Sequence, residues 1–82
     1  RYGIDRDKRF IKLEWEYVKE GISGYQVYKA RDGAPLRLYK FVPAKSFQDR
    51  NLTANSKYIY AIKAIYEDGA ESELSKEIEI NY

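Results

Sequence analysis

An all-β sandwich of about seven antiparallel strands is predicted by two features of this sequence. The first is Tyr58-Ile59-Tyr60-Ala61-Ile62-Lys63-Ala64, in which one face is apolar at every second position and a tyrosine opens the run just after a polar corner holding Leu52. Period-two alternation marks a strand with one side in a core, and a tyrosine at such a corner marks entry into a central strand of a two-sheet sandwich. The second is the recurrence of turn signals about every 8 to 12 residues, with no stretch of helical periodicity between them.

The elements follow in order. The opening residues run into a charged stretch, Asp5-Arg6-Asp7-Lys8-Arg9, and the first strand is read without a register. Ile11, Leu13 and Trp15 point one way while Lys12, Glu14 and Glu16 point to water, giving the second strand. Gly21 and Gly24 flank Ile22, and residues 25–30 then place Tyr25 and Val27 on one face, Gln26 and Tyr28 on the other. Arg31-Asp32-Gly33-Ala34-Pro35 closes a hairpin, because Asp-Gly accepts positive φ and Pro cannot continue a central strand. Residues 36–42 form the return strand, which Pro43 ends, and residues 45–49 form a short strand around Phe47. Arg50-Asn51-Leu52 leads into the corner before Tyr58, and Glu67-Asp68-Gly69-Ala70 makes the next hairpin turn. The last strand carries Ile78, Ile80 and Tyr82 inward against Glu77, Glu79 and Asn81. Trp15, Tyr25, Val27, Leu52, Ile62 and Ile80 are expected between the sheets.

Composition narrows the function classes. Eighty-two residues, 44% hydrophobic and 34% charged, suit a single domain with one core, residues 1–82. The longest apolar run, residues 58–62, falls far short of the roughly 20 that a spanning helix requires. The chain has no Cys and no His, so disulfides, thiolate metal sites, cysteine nucleophiles and the commonest general base are excluded. It opens without an initiator Met or a signal peptide, which fits a module excised from a larger protein. Residues 1–66 hold 14 of the 15 basic residues, whereas residues 67–82 hold six acids and Lys76. Cross-strand pairing accounts for this, with Glu77 and Glu79 expected beside Lys63. The cations are scattered singly and not interleaved with aromatics, so no nucleic-acid partner is expected.

Taken together, the order and spacing of these motifs resemble the fibronectin type III domain, in the variety appended to bacterial secreted and surface proteins. Ile11-x-Leu13-x-Trp15 resembles the family's second strand with its core Trp, and Ile22-x-Gly24-Tyr25-x-Val27-Tyr28 its third. Ser46-Phe47-x-Asp49 and Leu52 are similar to the run into the corner, Tyr58-x-Tyr60-x-Ile62-x-Ala64 to the sixth strand, and Ser72 with Ser75 to the approach to the last. Ala54-Asn55 stands where the family's corner usually has Pro-Gly, a substitution Asn tolerates because it accepts left-handed backbone. The resemblance implies an immunoglobulin-like sandwich and an extracellular or cell-surface location.

Individual side chains are weighed against structural roles. Trp15 shares a face with Ile11 and Leu13 and is read as core; the Tyr58 hydroxyl is read as bonding upstream backbone near Leu52. Asp5-x-Asp7 is interleaved with cations and is not assigned to calcium, and no metal or other cofactor is expected. Asn51-Leu52-Thr53 fits a glycosylation sequon at an exposed corner. The turn at Arg31 reads Arg-Asp-Gly and supports no integrin reading. Glu14 and Glu16 share a solvent face with no concave site, so no catalytic residue is assigned and the chain is not expected to be an enzyme.

The remaining candidate is the outer face of the sheet built from the third, fourth, sixth and seventh strands, where alternation puts Tyr28, Ile59, Ala61 and Ile65, with Tyr39 and Phe41 beside them. Tyr28, Tyr39, Ile59 and Ile65 are the candidate binding residues. The expected function is a non-catalytic spacer, scaffold or interaction module whose partners are adjacent domains of the same polypeptide, or a protein or glycan ligand. The alternative is a carbohydrate-binding accessory domain of a polysaccharide-degrading enzyme, with Tyr28 and Tyr39 stacking on sugar rings.

Overall fold

Seven strands assort into two antiparallel sheets in the computed structural model, which describes all of residues 1–82. They are β1 (Tyr2–Asp5), β2 (Phe10–Glu14), β3 (Ile22–Arg31), β4 (Arg37–Val42), β5 (Ser46–Asp49), β6 (Lys57–Tyr66) and β7 (Ile78–Asn81). One sheet has the order β1-β2-β5 and the other β4-β3-β6-β7. No helix is long and apolar enough to cross a membrane.

The charged stretch that gave β1 no register is a turn: Lys8 N–H bonds the Asp5 carboxylate and Arg9 takes a left-handed φ of 59°, pairing Ile4 with Ile11. Asp32 and Gly33 both have positive φ in the β3–β4 hairpin, as the Asp-Gly pair requires. Asn55 supplies the left-handed residue of the corner.

The core lies between the sheets. Ile11 and Leu13 of β2 face Tyr25 and Val27 of β3, Tyr58, Tyr60, Ile62 and Ala64 of β6, and Ile80 of β7, all buried. Trp15 and Leu52, expected within it, are half-buried and pack against its margin. β2 ends at Glu14, and Trp15 continues past it only through its N–H, which bonds the Lys45 carbonyl. Its ring meets Tyr25 edge-on at 5.5 Å, at the rim and not in the centre.

The Tyr58 oxygen accepts the Thr53 N–H at 2.6 Å, on the upstream backbone next to Leu52. Beyond the 67–69 turn, two serines replace a strand. Ser72 N–H bonds the Ala64 carbonyl while the Ser72 hydroxyl accepts the Ala64 N–H, and Ser75 does the same with Ile62. Each serine thus completes a ladder pair by substituting its side chain for a backbone carbonyl. This path carries Glu71 past Lys63, so Lys63 pairs with Glu71 at 3.1 Å and not with Glu77 or Glu79; Glu79 instead reaches Lys57 at 3.4 Å.

Candidate functional site

Outward-facing residues of the four-stranded sheet form the candidate surface. On β3 these are Gly24, Gln26, Tyr28 and Ala30; on β6 they are Ile59, Ala61, Lys63 and Ile65, because Tyr58, Tyr60, Ile62 and Ala64 take the core side. Register sets the rows: Leu38, Tyr28 and Ala61 lie side by side, as do Phe41, Gln26 and Lys63, and Ala30 stands beside Ile59. Ala30 and Ala61 are buried although they face outward, so their longer neighbours close over them. Leu38 and Phe41 remain 55% and 56% exposed. The tip of the Phe41 ring fills the space that any Cβ at Gly24 would occupy.

Polar groups frame this surface. The Tyr28 hydroxyl donates to Gln26 Oε1 at 2.9 Å, and the Lys63 ammonium stands 5.5 Å from the Tyr28 ring centre. The hydrogen bond to Glu71 raises the Lys63 pKa and holds it as a cation. Tyr28, Ile59 and Ile65, the half-buried members, share the outer face as alternation requires, but the row Phe41–Gln26–Lys63 sets Ile65 apart from Tyr28 and Ile59.

Tyr39 is not. A bulge in β4, where the pairing with β3 shifts between Val27 and Tyr28, inserts one extra residue and reverses the phase of everything before it. Leu38 therefore takes the outer position beside Tyr28, and the Tyr39 ring turns to the core side, where its hydroxyl donates to Asp49 Oδ1 at 2.8 Å. The expected Tyr28–Tyr39 pair on one face is replaced by Tyr28–Leu38.

Asp49 is the centre of a second cluster that sequence reasoning did not assemble. Its carboxylate is fully buried and receives four donors: Tyr39 Oη and the Asn51 N–H on Oδ1, Tyr60 Oη and the Lys29 ammonium on Oδ2, the last at 2.7 Å. Lys29 also donates to the Asn51 carbonyl at 2.7 Å and stands 4.5 Å and 4.9 Å from the ring centres of Tyr39 and Tyr58. Burial on its own would raise the Asp49 pKa, but the bonds from Lys29, Tyr60, Asn51 and Tyr39 outweigh it and hold the carboxyl below its ordinary range. Burial, reinforced by the bond to Asp49, pushes Tyr39 up to about 12 and raises Tyr60 as well.

A signal for this cluster is present in the alternation. Lys29 has the same phase as Tyr25 and Val27, and Asp49 the same phase as Phe47, so a cation and an anion fall on facing inner surfaces. The bulge that brings Tyr39 to them has no such signal. Of the other candidates, Asp5 serves its turn, Asn51 is exposed at the corner, and Glu14 and Glu16 stay at the rim.

Similarity to known proteins runs along the same lines. No protein-family model matches the chain. It is 36% identical over 67 residues to an amylopullulanase of Thermoanaerobacterium saccharolyticum and 32% identical over 71 residues to one of Thermoanaerobacter thermohydrosulfuricus, matches that cover 79% and 84% of this chain. An amylopullulanase of Thermoanaerobacterium thermosulfurigenes is 35% identical over 69 residues. The matched stretch is 5%, 5% and 4% of these three relatives, so the chain corresponds to one small segment of each. Among solved structures, an Fn3-like protein from Clostridium thermocellum superposes with a TM-score of 0.81 over 99% of this chain and 84% of its own length, at 22% identity. Strand order, tyrosine corner and this superposition identify the chain as a domain of the fibronectin type III-like fold.

Proposed function

We propose that the chain is a non-catalytic module of a longer secreted or cell-surface polypeptide, acting as spacer and scaffold, and that the outer face of its four-stranded sheet rests against an adjacent domain. The observation that carries this is the row Leu38–Tyr28–Ala61 with Phe41 and Ile59 beside it, more apolar than a solvated face requires. The similarity to small segments of far longer amylopullulanases supports the modular context. A non-catalytic role agrees with the state of Asp49, the buried carboxylate, whose acceptor sites are already filled by four donors.

The test is Ile59→Lys in the parent polypeptide. Lys is the suitable replacement because Ile59 lies opposite Glu79, which would repel a carboxylate and receive an ammonium. Docking predicts larger scattering-derived dimensions for the variant, with the domain's own stability lowered by about 1 kcal/mol because Ile59 is half-buried. Unchanged dimensions would leave the plain spacer.

The amylopullulanase relatives favour a second reading, glycan binding. It loses the Tyr28–Tyr39 pair, since the Tyr39 hydroxyl is bound to Asp49, and the outer face keeps Tyr28 and Phe41 in separate rows. Retardation of the isolated domain in a pullulan-containing gel, lost on Tyr28→Ala, would restore it.

A further inference from the structure

A cleft of about 330 Å³ opens between the β3–β4 hairpin and the corner that holds Asn51 and Thr53, and three cations, Lys29, Arg31 and Arg37, line it. Lys29 stands directly opposite Arg37 in the register, so the two share the inner face, and Arg31, two residues on, shares it too. Lys40 lies on the same side, opposite Val27 and 5.4 Å from the Tyr39 ring centre. Like charges placed directly opposite destabilise a sheet. Lys29 is neutralised by Asp49 behind it, and Arg31 meets Asp32 at 3.5 Å with both side chains more than half exposed. Arg37 and Lys40 enter no ion pair. No carboxylate lines the cleft. The Thr53 hydroxyl accepts from Arg31 at 3.1 Å and keeps its own proton to donate.

We propose that this cleft binds a phosphate group as the dianion, free or carried as a monoester. A guanidinium presents paired N–H donors that match phosphate oxygens, and Arg31 keeps several beyond its bond to Thr53. Diagonal neighbours on adjacent strands lie about 7–8 Å apart, within reach of long side chains, so Arg31 and Arg37 converge on one tetrahedral group. Thr53 donates to a further oxygen. Two guanidiniums with little to neutralise them balance two negative charges, where a carboxylate would supply one. The bound anion relieves the repulsion that the register sets up between Lys29, Arg31 and Arg37.

The test titrates the chain with inorganic phosphate, glucose 6-phosphate and glucose at constant ionic strength and follows amide chemical shifts. Both phosphates are expected to give saturating shifts at Arg31, Arg37 and Thr53 and to raise the thermal midpoint, since a ligand of the folded state stabilises it. Glucose does neither. Tighter binding of glucose 6-phosphate assigns the site to a monoester, and equal or weaker binding assigns it to the free ion. Arg37→Gln weakens phosphate binding by about tenfold, the loss of one charge-assisted contact. Lys12→Gln removes the same charge from an exposed position on the other sheet and changes binding by less than about twofold, because salt screens distant charges. Shifts that stay linear in phosphate, equal weakening by the two substitutions, or saturation by glucose each overturn the proposal.

Discussion

The Lys29 ammonium crosses from one sheet to the other to meet the Asp49 carboxylate at 2.7 Å, with the lysine side chain 11% exposed and the aspartate side chain not at all. Two charges leave water at a cost that their attraction repays only when the remaining donors and acceptors are also satisfied. Here they are, by Tyr39, Tyr60 and the main chain of Asn51. Asp49→Ala strands all four donors and is expected to cost about 3–5 kcal/mol, the range for breaking one partner out of a buried pair. Lys29→Met leaves the carboxylate with three donors and costs less. Urea midpoints rank the two, and the opposite order would contradict this account.

The same cluster contributes pH-dependent stability at both ends of the scale. The folded Asp49 pKa lies below its unfolded value, so the stability it contributes is present above about pH 3.9 and is lost as pH falls through the folded pKa. Tyr39 is raised to about 12, so its contribution is full below its unfolded pKa of about 10 and is lost as pH rises from there through the folded value. Thermal midpoints are therefore expected to fall in acid below about pH 4 and again from about pH 10. Tyr39→Phe, which cannot ionise, makes the alkaline fall shallower.

Tyr58→Phe removes the acceptor of the Thr53 N–H. The expected loss is about 0.5–1.5 kcal/mol with the fold kept, since the ring stays packed against Tyr60 and Tyr82 and only one hydrogen bond goes. An unchanged denaturation midpoint would remove the corner from the stability account.

Ser72→Ala and Ser75→Ala each leave one β6 amide without its acceptor, Ala64 and Ile62 respectively. Each is expected to cost about 1–3 kcal/mol, the penalty of an unsatisfied donor in a covered site. Amide exchange reads the assignment directly: Ser72→Ala speeds exchange at Ala64 and Ser75→Ala at Ile62, and crossed effects would contradict the pairing.

By itself the sequence determined the number and order of strands, the inward phase of β2, β3 and β6, the turns at Asp32-Gly33 and Asn55, and the tyrosine corner. These depend on local rules: alternation with period two, the φ that Gly, Asn and Asp accept, and the spacing from Leu52 to Tyr58. Tyr28, Ile59 and Ile65 were legible on the outer face for the same reason. Only the tertiary structure decided the place of Tyr39 and Leu38, because one bulged residue in an edge strand inverts a phase that alternation carries forward unbroken. It also decided that Lys29 and Asp49 meet, since a long-range pair depends on how two sheets are stacked and not on either strand alone. Trp15 stands between the two cases: its inward phase was local, but its half-burial follows from lying at the rim where β2 ends.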